Sequence, residues 1–426
     1  MQTKSLTDRD HEVIWHPYTQ HKNKMPPIPV VRGKGSLLFD EKGKTYIDAI
    51  SSWWVTIHGH GHPYIAQKIY EQALLLEQVI FTGFTHEPAV SLAERLLPLL
   101  PGDLSRIFYS DNGSTAVEVA IKMAIQYWSN KGEDRKKILA LRNSYHGDTF
   151  GSMSISGRSL FTAAFQDYLF EPVFIDAPDR ENIGQLKEFL RRQGSEMACF
   201  IYEPLLQGAG GMHMYEAALL DELMGVAKEM DILLIADEVL TGFGRTGQLF
   251  AGSYLQHTAD IICLSKGLTG GTMALGATAA TERVFEAFLS DDRRKTLFHG
   301  HSFTANPLAC AAALASLDLL LEAPCAEHIR RIGTQHAAFA EKITAYDIVR
   351  DVRILGTVVA FGISQGEDGY INPAGLDLTQ KAMEEGIYLR PLGNTVYILP
   401  PYCTTEEELE KIYDFLEGYI KKEAVS

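Results

Sequence analysis

From residue 87 onward, short continuous apolar runs alternate with helical patterns, and this alternation leaves the chain very few architectures. The runs are Arg106–Ser110, Ile138–Leu141, Val173–Ile175, Ala198–Tyr202, Ile232–Ala236, Ile261–Leu264 and Leu275–Ala280. Apolar residues at consecutive positions require both faces of each strand to be buried. Helical patterns at Ala89–Leu100, Thr115–Trp128, Asn182–Arg192 and Ala217–Met230 separate several of these runs. The expected fold is α/β, a mostly parallel central sheet covered on both faces.

The pattern changes near Asn306. An alanine-rich helix at Pro307–Leu321 leads into helices near Ala326–Ile343, Leu378–Glu385 and Thr405–Ile420. Strands near Thr357–Ile363, Ile387–Arg390 and Val396–Leu399 give this part an α+β character. The first sixty residues are irregular, with Pro17, Pro26, Pro27 and Pro29, apart from a hairpin pairing Ser36–Asp40 with Thr45–Asp48. A chain of 426 residues exceeds a single core. The expected division is an N-terminal segment 1–60, a large α/β domain 61–305 and a small α+β domain 306–426, the small domain drawing on both termini.

A formal net charge of −15 argues against nucleic acid or an anionic membrane surface as the main partner. The N-terminal sequence has no apolar signal-peptide core, and no run approaches the roughly 18–20 apolar residues of a membrane span. Five scattered cysteines without a CxxC pair read as reduced thiols, so a cytoplasmic location is expected. His58, His60, His62, His299 and His301 invite a metal reading. Their glycine-alternating context, with no adjoining carboxylate in sequence, favours a role in shaping the backbone, and no metal is expected. Gly208-Ala209-Gly210-Gly211 opens no helix and lacks the GxGxxG spacing of a dinucleotide site.

Ligands of a parallel sheet sit beyond the carboxyl ends of its strands, so the polar residues that follow each apolar run are the candidates. Asn112-Gly113-Ser114-Thr115 joins a strand to a helix and offers a glycine, hydroxyls and free N–H groups to a phosphate, or serves only as a helix cap. Asp237 ends the run Ile232–Ala236. Its carboxylate needs a partner, which could be a metal, an arginine or a protonated heterocycle nitrogen. Lys266 follows Ile261–Leu264. Held in a dry site it would lose proton affinity and become a nucleophilic amine. Pyridoxal phosphate chemistry requires this combination: a lysine for the aldehyde, an acid for the ring nitrogen and an anchor for the phosphate.

Longer stretches carry a resemblance to a known family. They are Trp15-His16-Pro17-Tyr18-Thr19, Ser51-Ser52-Trp53-Trp54, Tyr109 to Ser114, Ser144 to Thr149, Asp237 to Gly247, Lys266 to Gly271, and Tyr388-Leu389-Arg390-Pro391. Over nearly its whole length the chain resembles the class-III, fold-type-I aminotransferases, which use pyridoxal 5'-phosphate. Within them it is most similar to the branch that aminates 8-amino-7-oxononanoate in biotin synthesis.

The resemblance implies that Lys266 is the Schiff-base lysine and proton shuttle, and Asp237 the partner of the pyridine nitrogen. It implies phosphate binding by Gly113 and Ser114, with Ser302 reaching across from the neighbouring subunit of a homodimer whose active sites are shared. Tyr145 would stack on the cofactor ring, and Arg390 would hold a substrate carboxylate. Tyr18, Trp53 and Trp54 would line the substrate pocket, with Tyr18 also close to catalysis. The amino donor implied is S-adenosylmethionine. The loop His299-Gly300-His301-Ser302-Phe303 departs from the Gly-Pro-Thr-Phe of adenosylmethionine users and resembles relatives that take lysine, whereas Trp53-Trp54 and Asn306-Pro307-Leu308-Ala309-Cys310 resemble the former. Two other readings compete: a sister ω-aminotransferase, and a cofactor-binding regulator without turnover.

Overall fold

The computed structural model describes residues 4–22, 25–364, 370 and 372–424. At its centre is a seven-stranded sheet. Across the sheet lie Leu104–Ser110, Gly276–Thr281, Ile261–Leu264, Leu233–Asp237, Met197–Tyr202, Lys137–Leu141 and Val173–Ile175. Only Gly276–Thr281 runs against its neighbours; the other pairings that were expected to be parallel are so.

Side chains alternate between two cores, as the period of a strand demands. Leu233, Ile235, Ile261 and Cys263 face the core beneath the helix Gly113–Lys131. Leu234, Ala236, Ile262 and Leu264 face the larger core on the opposite side. This two-sided burial is why the strands read as unbroken apolar runs. Trp128 anchors the first core: it is fully buried, and its indole N–H donates to the Ala198 carbonyl at 2.7 Å. Arg135 lies over its ring at 4.0 Å.

The two chain ends meet. The hairpin Leu37–Asp40 and Thr45–Asp48 forms as the sequence suggests. Thr45–Asp48 then pairs in parallel with Ile387–Tyr388 from the far end of the chain. A second C-terminal sheet joins Val349–Leu355, Val358–Ile363 and Thr395–Ile398. The helix Pro307–Leu320 connects the parts. It packs against helices Pro63–Leu75 and Glu87–Leu96 and against the turn that carries Lys266. Among the described residues no single helix is long and apolar enough to cross a membrane.

Three elements have no clear sequence signal. Val349–Leu355 is interrupted by Arg350, Asp351 and Arg353, and its register slips between the two arginines. Leu6–Val13 buries no residue, and Pro63–Leu75 buries only Ile65, so neither presents a strong apolar stripe.

Replacing Trp128 by alanine removes a large buried side chain and its hydrogen bond. The expected loss is roughly 3–5 kcal/mol of stability, read as a lower unfolding midpoint in urea, with a smaller loss for Trp128→Phe.

Candidate active site

Successive strand ends open onto one cavity of about 420 Å³, whose walls include Gly113, Ser114, Tyr145, Glu203, Asp237 and Lys266. Asp237 closes its strand and is almost fully buried. Its carboxylate has two partners. His146 Nδ1 lies 2.7 Å from Oδ2, and the Val239 amide donates to Oδ1 at 3.1 Å. The sequence left the partner open among a metal, an arginine and a heterocycle; within the chain it is a histidine.

Lys266 arrives on the adjacent strand, where Cys263 is the register partner of Asp237. The residue takes a left-handed φ of 44°, unusual for lysine, which fixes how it leaves the strand. Its ammonium lies 4.7 Å from the Trp54 ring, and among the described residues no carboxylate pairs with it. Burial lowers its pKa to about 8, the pull of Asp237 and Glu203 limits that drop, and Arg245 adds to it.

The turn from strand to helix at Asn112-Gly113-Ser114-Thr115 forms, and its cap is made. Asn112 caps the helix Gly113–Lys131, its side chain accepting from the Thr115 amide at 3.0 Å. A Cβ at Gly113 would stand 2.8 Å from Val239 Cγ1, so the close approach there requires glycine. Ser114 Oγ accepts from the Asp148 amide at 3.1 Å. Gly147, with φ +134°, lets that loop pass so near that a Cβ would sit 1.9 Å from Ser114 Oγ.

Tyr145 is half-buried and forms a side wall. Its amide donates to Glu203 Oε1 at 2.9 Å, and Gly208 donates to Oε2 at 3.0 Å. Glu203 thus ties the Tyr145 loop to the loop after its own strand. Burial pushes its pKa up to about 7; His146 and the two amides draw it down, and Asp237 adds to the rise.

The substrate-pocket candidates gather beside this cavity. Tyr18 donates to Asp148 Oδ2 at 2.6 Å, and burial, followed by that carboxylate, pushes its pKa up to about 12. Trp54 is a buried wall of the cavity, with its indole N–H on the Tyr397 hydroxyl at 3.0 Å. Trp53 is 41% exposed, edge-on to Tyr18 at 5.4 Å and 4.9 Å from the Arg390 guanidinium. Ser302 stands apart. It is exposed, its carbonyl accepts from Gln78, and it does not line the cavity of its own chain.

Two residues of the candidate site escaped the sequence reading. Glu203 directly follows the run Ala198–Tyr202, so the strand-end rule applied to it as fully as to Asp237. His146 had no such signal, because only folding brings it against Asp237. Two of the histidines read as backbone-shaping, His60 and His301, need correction, since their side chains meet carboxylates. His60 Nε2 meets Asp48 Oδ2 at 2.9 Å, and His301 Nδ1 meets Asp111 Oδ2 at 3.1 Å. Those carboxylates are distant in sequence, which is why none adjoined. The glycine-loop arginine, Arg245, is also structural in its contacts. It is fully buried and donates to the Pro400 carbonyl at 2.7 Å.

The donor set fits pyridoxal phosphate. A buried, unpaired amine suits an aldehyde, a buried histidine-held carboxylate suits a ring nitrogen, and a glycine-lined helix start suits a phosphate.

Comparison with known proteins agrees. The class-III aminotransferase family model matches residues 18–420. The adenosylmethionine-8-amino-7-oxononanoate aminotransferase of Synechococcus elongatus is 46% identical, covering 95% of this chain and 97% of the relative. That of Geobacter sulfurreducens is 39% identical over 98% of both chains. The crystal structure of the enzyme of that name from Methanocaldococcus jannaschii superposes with a TM-score of 0.94, at 35% identity and 98% coverage of both chains. An omega transaminase from Pseudomonas jessenii, solved with PMP, gives 0.92 at 26% identity, covering 99% of this chain and 98% of its own. This chain belongs to the class-III aminotransferases, a pyridoxal-phosphate-dependent family.

Proposed function

We propose that the protein aminates 8-amino-7-oxononanoate to 7,8-diaminononanoate, a step of biotin synthesis, with S-adenosylmethionine as donor, in two half-reactions. The observation that carries the reaction type is the unpaired, buried Lys266 amine sharing one cavity with the His146-held Asp237. The relatives that match at full length bear the name of this reaction, which supports the substrate pair. Lysine as donor is the second reading, on the strength of Gly300-His301-Ser302.

Bound pyridoxal phosphate supplies an electrophilic aldehyde and a ring able to take up electron density. Lys266 would hold it, and Lys266 as a neutral amine would then take the proton from the amine-bearing carbon of the donor. Asp237 would keep a proton on the ring nitrogen, its carboxylate fixed by His146 and by the Val239 amide. Gly113 and Ser114 would bind the phosphate, and Tyr145 would cover the ring. Arg390 would bind the substrate carboxylate, for which a planar guanidinium is shaped. Tyr18, Trp53 and Trp54 would bound the pocket, Tyr18 also orienting the reacting amine.

A homodimer accords with the position of Ser302, away from its own cavity and free to reach the phosphate bound in a second subunit. Exposed Ile80, Phe84, Phe298 and Phe303 lie on segments joined through Gln78, an apolar surface suited to that contact. We place the small domain in segments 1–60 and 306–426, around the large domain 61–305, and the enzyme in the cytoplasm.

Lys266→Ala should abolish turnover and the absorbance change on adding donor; wild-type turnover in this variant would overturn the role. Purified enzyme given 8-amino-7-oxononanoate should form 7,8-diaminononanoate faster with S-adenosylmethionine than with lysine, and the reverse order would select the second reading. The Lys266 amine is neutral above its lowered pKa and protonated below it. Cofactor capture by the apoprotein should therefore rise with pH to a midpoint near 8; a midpoint at the ordinary lysine value would contradict the buried site.

A further inference from the structure

Beyond the cofactor cavity lies a second chamber of about 580 Å³, sharing Tyr145 and Gly147 with it and walled by Asp148, Phe161 and Tyr370 among others. Phe161 and Tyr370, in its wall, belong to an aromatic cluster that continues outside the chamber to Tyr18 and Trp53. The Trp53 ring meets Tyr18 at 5.4 Å and 70°, Tyr18 meets Phe161 at 5.5 Å and 84°, and Phe161 meets Tyr370 at 4.6 Å and 78°. The hydroxyl of Tyr370 neighbours the Arg390 guanidinium, which lies over Trp53 at 4.9 Å and so closes the circuit. These edge-to-face contacts fix the rings in orientation to one another. Four rings and Arg390, from distant segments, thus form a collar, with Asp148 accepting from the Tyr18 hydroxyl; the chamber wall beyond it also carries Arg158, Arg350, Arg353 and Asp351.

We propose that Phe161, backed by Tyr370, completes the acceptor-binding surface and sets the preference for a keto acid with a long polymethylene chain. The inference rests on the function proposed above and adds to it the residues that select the acceptor. The chain of 8-amino-7-oxononanoate is apolar between a carboxylate at one end and a keto-amine at the other. Arg390 takes the carboxylate, Asp148 and Tyr18 face the amine end, and the collar provides the apolar surface between them. A short keto acid anchored at Arg390 would leave the rings of Phe161 and Tyr370 uncovered and lose their contribution. Tyr370 further fixes Arg390 through its hydroxyl, so its role extends to the carboxylate anchor.

The test compares the two half-reactions of the holoenzyme. Phe161→Ala should raise the KM for 8-amino-7-oxononanoate about tenfold or more, the scale of a lost apolar contact in a specificity pocket. The S-adenosylmethionine half-reaction of the same variant should lose several-fold less than the acceptor half-reaction. Phe161→Leu, which preserves bulk and guards against misfolding, should fall between, and Tyr370→Phe should weaken acceptor binding with little change in kcat. Equal losses in both half-reactions would show a merely structural role, and unchanged acceptor KM in both Phe161 variants would exclude contact; either result overturns the proposal. If wild type fails to aminate 8-amino-7-oxononanoate, the function fails separately. The collar is then judged on a series of keto acids of rising length, where Phe161→Ala must flatten the wild-type length preference.

Discussion

A carboxylate buried at the end of the central strand governs the site. Removing Asp237 from water is costly unless its charge is met, and the chain meets it with His146 and a backbone amide. That arrangement leaves one side of the carboxylate group facing the cavity in which Lys266 and Glu203 also lie. Burial and the neighbouring charges then set the proton affinities of Lys266 and Glu203. Burial drives Lys266 toward the neutral amine, while Asp237 and Glu203 keep it from falling further. Burial also drives Glu203 toward its neutral form, and His146 restrains it. A nucleophilic amine beside an ionised acid is difficult to maintain in water. In this site both groups are positioned before any ligand arrives.

Positioning of this kind shows in the backbone. Left-handed φ at non-glycine residues is rare, yet Lys266, Trp54, Ser51, Ser52 and Tyr18 all adopt it. Each is in or beside the cavity. Local strain of this sort survives only where surrounding contacts over-determine it. Asp48 supplies much of that restraint, accepting from the Ser52 amide at 2.6 Å and meeting His60. The strand that carries Asp48 is in turn held by Ile387–Tyr388. The Trp53–Trp54 segment therefore depends on both ends of the chain, and so does the wall beside Lys266.

What the sequence made legible follows the same physics. The seven strands announced themselves because two-sided burial demands unbroken apolar runs, and their ends pointed to Ser114, Asp237 and Lys266. The Val349–Leu355 strand stayed hidden because its charged residues and irregular register break that pattern. His146 stayed hidden for another reason: the hydrogen bond to Asp237 joins residues 91 positions apart, and nothing local marks it. The histidine–carboxylate pairs at His60 and His301 were missed likewise. Family resemblance supplied Tyr145 and Arg390, which residue-by-residue reading could not separate from a packed loop residue and a surface ion pair.

The division between chemistry and selectivity explains this unevenness. The groups proposed to perform chemistry, Asp237 and Lys266, sit at strand ends, where the sheet fixes them and the sequence pattern reveals them. The groups proposed to face the substrate come from the N-terminal segment, the Trp53 turn, the loop bearing Phe161, and the C-terminal part bearing Tyr370 and Arg390. No single local pattern links these positions, since only the packed chain brings the rings into contact. Changes in these segments can alter the pocket while leaving Asp237, His146 and Lys266 untouched. The omega transaminase that shares this fold at 26% identity fits that separation. A shared architecture can keep its floor and exchange its rim, so the reaction type has to be argued from the residues of the floor and the choice of molecules from the rim, not from the fold alone.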